Sequence, residues 1–108
     1  MAFRRTLTPT FLAPVKVLTP NDKGGFDTNT FDAQFSRSDL AENEELKNLT
    51  NVDLVKRKCV GWKLVDAETN ESVLWSPEEL EAVLMVPGAA LAMATAFWSS
   101  LVGVREKN

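Results

Sequence analysis

Cys59 is the only thiol among 108 residues, and no histidine or tyrosine accompanies it. A lone cysteine without an imidazole lacks the base that would make it a nucleophile. Without a second thiol it forms neither an internal disulfide nor a redox pair. It reads as a small buried hydrophobe. The lack of histidine also removes the commonest general base and the commonest metal ligand. The carboxylates gather as Glu42, Glu44 and Glu45 and as Glu78, Glu79 and Glu81. Both groups fall at or beside expected helix starts, where acids complement the positive end of the helix dipole and need no catalytic role. Lys56, Arg57, Lys58 and Lys63 form one local basic cluster, which on an amphipathic helix reads as a solvated face. On these residues no catalytic set, no metal site and no cofactor are expected, and the chain is not read as an enzyme.

Twelve basic residues against 15 acidic ones leave a net charge of −3, so no overall field draws the chain to nucleic acid or to an anionic membrane. The length suits one domain, with a radius of gyration of roughly 13 Å if packed tightly. Arg4 and Arg5 precede "TLTPTFLAPVKV", but Pro9, Pro14 and Lys16 interrupt its apolar stretch. No signal peptide is read there, and the unpaired cysteine fits a cytoplasmic location.

The expected fold class is α+β: an N-terminal β-hairpin packed on a C-terminal group of three to four short helices. Residues 1–13 read as a flexible arm and 14–108 as a single domain, with the hairpin at about 14–36 and the helical part at about 38–104. The hairpin rests on two alternating runs, "VKVLT" and "FDAQF", around the turn formers "PNDKGG". Ser38 is placed to cap a first helix through "DLAENEELKNL", whose apolar side is sparse. Thr50 and Asp53 then cap a second helix, with Val52, Val55, Cys59 and Trp62 at helical spacing and Gly61 at its end. "LVDAETNESVLW" reads either as a short second hairpin or as an extended crossing segment.

"WSPEEL" combines several helix-start devices. Ser76 is the N-cap, Pro77 sits at the first helical position, Glu79 completes a capping box, and Trp75 faces Leu80 as a hydrophobic staple. Leu80, Val83 and Leu84 form the inward stripe until Pro87 and Gly88 break the helix. Trp62, Trp75, Ser76, Leu80 and Leu84 are the residues the fold is expected to need.

From Val83 to Val104 the chain carries no charge. This run can be the apolar half of a core, a membrane span, or a surface kept free of charge for a partner. The uninterrupted part, Gly88 to Val104, makes about 25 Å of helix, short of the roughly 30 Å hydrocarbon core. On a helical wheel Leu91, Met93, Phe97, Trp98, Leu101, Val102 and Val104 take one half, and Ala92, Ala96, Ser99, Ser100 and Gly103 the other. A large face suits a core. A small, uncharged face suits close approach by another helix. The candidate partner-binding residues are therefore Ala92, Ala96, Ser99 and Gly103, with Phe97 and Trp98.

The ordered series of a hairpin, an acidic linker helix and "VGWKLVDAETNESVLWSPEELEAVLMVPGAALAMATAFWSSL" resembles the small tail assembly chaperones of long-tailed bacteriophages. The resemblance covers Val52 to Leu101 well and the N-terminal half by pattern. It rests on Val60-Gly61-Trp62, a polar turn, the Ser76-Pro77-Glu78 helix start and Pro87-Gly88 before a final apolar helix. One departure is that the polar turn, Asp66 to Glu71, lacks the expected glycine. The resemblance implies a non-enzymatic α+β protein of the host cytoplasm. Such a protein forms a homo-oligomer, binds the tape measure protein, helps tail tube protein assemble, and then leaves. The rival expectations are a small membrane-active protein spanning with Gly88 to Val104, and a structural or regulatory phage component that stays in its complex.

Overall fold

In the computed structural model, which describes residues 7–102, "NDKGG" reverses the chain between β1 (Thr10–Pro20) and β2 (Phe26–Ser36). Asn21 holds this turn: its Oδ1 accepts from the backbone N–H of Lys23 and of Gly25, each at 3.0 Å. The strands pair antiparallel with Ala13 opposite Ala33 and Phe11 opposite Phe35. Side chains alternate across a strand, so Phe11, Ala13, Val15 and Val17 share one face with Phe31, Ala33 and Phe35. That face is the floor of the core.

Thr10 to Ala13, expected in a flexible arm, belong to β1. Phe11 anchors them: its ring lies 6.0 Å from that of Phe35 and 5.8 Å from that of Phe97, and the Arg37 guanidinium sits 5.3 Å above it. Arg37 Nε also donates to the Thr8 carbonyl at 2.8 Å. The aromatic contacts outweigh the local signal of Thr and Pro that suggested an arm. Residues 1–6 of that expected arm lie outside the described residues.

After β2 come α1 (Leu40–Leu46) and α2 (Asn51–Lys58). The cap of α1 is Asp39, one residue beyond the expected Ser38, and its side chain accepts from Glu42 N–H at 2.8 Å. Thr50 caps α2 as expected, accepting from Asp53 N–H. The expected helical stripe does not run on, because α2 ends at Lys58 and Cys59–Lys63 forms a third strand, β3, antiparallel to β2. The extended-favouring "CVGW" gains a ladder there that a longer helix would forgo. The inward residues of α2 are Leu54, Val55 and Lys58, and Val52 faces out. Gly61 lies inside β3 rather than at a helix end. A Cβ there would come within 2.6 Å of Gln34 Oε1, so a larger residue would require the Gln34 side chain to swing aside.

The segment after β3 doubles back, as one of its two expected forms. Val65 and Ser72 bridge, and Val73 N–H donates to the Leu64 carbonyl at 2.9 Å. Asn70 takes the left-handed conformation, φ 58°, that a glycine would have supplied. Asp66 Oδ1 accepts from Glu68 and Thr69 N–H. The polar turn is thus tight without the glycine.

α3 (Pro77–Leu84) begins as its sequence dictates, with Ser76 Oγ accepting from Glu79 N–H at 3.1 Å. α4 (Ala89–Leu101) follows at 110° to it. Gly88 allows the bend with φ 88°, a conformation costly for residues with a Cβ. α4 packs on β1 and α2, closing the core over the three-stranded sheet. The radius of gyration is 14.9 Å, above the expectation for this length, because eleven-residue strands make a hairpin of roughly 36 Å.

Candidate partner-binding surface

α4 shows which residues can meet a partner. Ala89, Met93, Ala94, Ala96 and Phe97 are its buried residues. Leu91 is 61% exposed and Val102 64% exposed. The division into core and surface therefore does not follow side-chain size, which was the basis of the two-faced reading. Small alanines face inward because they let the helix lie close to its neighbours in the chain.

Two of the expected partner-binding residues are therefore fold residues in this chain. Phe97 is fully buried, with its ring 5.2 Å from that of Phe35, and Ala96 is 8% exposed. Neither presents a surface to dock on. Trp98 is half-buried, with its indole edge-on to Phe97 at 5.0 Å, and Ala92 is also half-buried against the core. Ser99 is half-buried. Gly103 lies outside the described residues, as does Val104.

What α4 turns outward is the row Leu91, Thr95, Trp98 and Val102, with Ala92 and Ser99 at its margin. The spacing of four, three and four residues keeps the row on one side of the helix. It contains no charged residue. Met85 and Val86, exposed in the turn between α3 and α4, extend apolar surface beyond the helix start. The wheel that sorts α4 by size puts Leu91, Trp98 and Val102 together on its large half but reads that half as the core face, and it places Thr95 on neither half.

Of the residues expected to hold the fold, Leu80 is buried, while Trp62, Trp75 and Leu84 are half-buried against the core. Trp62 donates its indole N–H to the Val73 carbonyl at 2.8 Å, tying β3 to the doubled-back segment, and meets Phe31 edge-on at 6.1 Å. Trp75 Nε1 is buried without a hydrogen-bond partner. Cys59 is buried, as its sequence context implied. Burial pushes its thiol pKa up; a backbone hydrogen bond at Gly61 and the Trp75 side chain act the other way and more weakly.

The basic cluster is not simply solvated. Lys56 pairs with Glu81 at 2.9 Å, Arg57 with Glu45 at 3.3 Å, and Lys58 with Glu42 at 3.0 Å. Each cation of α2 is met by a carboxylate of α1 or α3, which leaves little field for a polyanion. A groove of about 440 Å³ on the outer face of the sheet is lined by Pro14, Lys16, Thr30, Asp32 and Lys63 among others. Among the described residues no single helix is long and apolar enough to cross a membrane, and α3 and α4 reach that composition only as a pair bent by 110°. Among those residues no group of three His, Cys, Asp or Glu is placed to hold a metal ion. No protein-family model matches the chain, and no curated protein or solved structure does so.

Proposed function

We propose that this protein acts by binding other proteins, as an assembly chaperone for bacteriophage tails. The observation that carries the proposal is the uncharged outward row of α4, Leu91, Thr95, Trp98 and Val102. Solvated helices ordinarily place Lys and Glu on such a side. A row without charge suits helix-on-helix contact with a second copy and with the long helical tape measure protein.

The sequence resemblance across Val52 to Leu101 supplies the biological class, and the α+β order of elements is compatible with it. In this reading the chain works in the host cytoplasm, oligomerises along the tape measure protein, promotes tail tube assembly and is then released. A contact of modest area, without buried ion pairs, suits a scaffold that must later leave.

An affinity pull-down with the tape measure protein encoded in the same genome tests the proposal. The expected result is co-purification of the two proteins and absence of this chain from purified particles by mass spectrometry. Retention in the particles would favour a structural component, and recovery in the membrane pellet would favour the membrane-active reading.

A further inference from the structure

We propose that α1 is a displaceable strap: a short acidic helix held by one buried leucine and by ion pairs to α2, which opens and closes while the sheet and α4 stay folded. α1 has seven residues, and only Leu46 among them is buried. Leu40, at its start, is 77% exposed. A helix of this length has no stability of its own in water, so the attachments to α2 decide whether it exists.

Apart from the buried Leu46, those attachments are ionic. Glu42 Oε1 lies 3.0 Å from Lys58 Nζ, Glu42 Oε2 lies 3.8 Å from the Arg57 guanidinium, and Glu45 Oε2 lies 3.3 Å from the same group. Lys58 Nζ also donates to the Arg37 carbonyl at 3.3 Å, just upstream of α1. The Lys58 side chain is only 4% exposed. In the shut state its ammonium has exchanged water for one carboxylate and one carbonyl. On opening, it loses the carboxylate and regains hydration, and these two effects largely offset each other. The apolar cost of opening falls mainly on Leu46. By contrast, Phe35, Phe97 and Met93 are fully buried within the core, so the rest of the fold opens only with the whole domain. The open state frees Arg57 and Lys58 on α2, while Lys56 keeps Glu81 of α3.

Amide hydrogen exchange on the full chain, read residue by residue by NMR at 50 mM and 1 M NaCl, tests this. In wild type the amides of Asn43 and Lys47, hydrogen-bonded within and at the end of α1, should exchange at least about 100-fold faster than those of Phe35 and Phe97. They should accelerate about threefold or more at the higher salt, where charge is screened, while the core amides do not accelerate. Lys58→Met keeps the side-chain volume without the charge, and it should cut that salt response to less than about twofold. Equal protection of α1 and the core in wild type would overturn the proposal without any variant. So would the same salt response in wild type and Lys58→Met.

Discussion

The ring of Phe97 on α4 meets the ring of Phe35 on β2 edge-on, with centroids 5.2 Å apart and planes at 73°. Both side chains are fully buried, so this contact joins the helical layer to the sheet at the centre of the core. Phe97→Ala is expected to lower stability by about 3–5 kcal/mol in a denaturant melt. A double-mutant cycle with Phe35→Ala should return a coupling of about 0.5–1.5 kcal/mol. A loss under about 1 kcal/mol would mean that Phe97 is a surface residue after all.

The two inner tryptophans should respond oppositely to loss of the indole N–H. Trp62→Phe removes the donor to the Val73 carbonyl and is expected to cost about 1–3 kcal/mol. Trp75→Phe removes a buried N–H that has no hydrogen-bond partner, and the two effects of lost ring area and relieved desolvation should leave stability within about 1 kcal/mol of wild type. Comparing the two midpoints at equal slope checks the pair, and a larger loss at Trp75 than at Trp62 would refute the assignment.

Cys59 sets a stability trend at alkaline pH. Its thiol pKa is raised above the ordinary 9.0, chiefly by burial, so the folded state favours the protonated form more than the unfolded state does. The stability from this group is complete below about pH 9 and is lost as pH rises through the raised folded value. Denaturant melts from pH 8 to pH 10 should show wild type losing more stability than Cys59→Ala over that interval. Parallel curves for the two proteins would contradict the expectation.

Adjacent positions on α4 separate fold from interface. Ala96 is 8% exposed, so Ala96→Glu buries an unpaired charge and is expected to cost about 3–5 kcal/mol. Thr95 is exposed, and Thr95→Glu should leave stability within about 0.5 kcal/mol. Thermal melts of the two variants check this; similar losses in both would show that α4 is rotated from the position described.

Much of the fold was legible in the sequence because several local signals agreed. The capping residues around Ser76, the Thr50 cap and the alternation along β2 each fix an element through contacts within a few residues. The third strand was not legible, since "CVGW" becomes a strand only through pairing with β2, a partner more than twenty residues away. Lys58 was misread for a related reason: its burial depends on Glu42 of α1, which periodicity does not report. The outward row of α4 was hidden because its alanines, small as they are, face the core, so size was a poor guide to side. Asn70 shows the reverse case, where the left-handed turn could have been found by counting asparagine with glycine.

The central claim, that the outward row of α4 binds protein, is tested most directly by light scattering on size-exclusion peaks of the chain co-expressed with the tape measure protein. The account predicts that wild type elutes with that protein in several copies, and that Thr95→Glu, folded but charged in the middle of the row, elutes apart from it. A wild-type chain that elutes alone as a monomer, or a Thr95→Glu complex of unchanged mass, would contradict it.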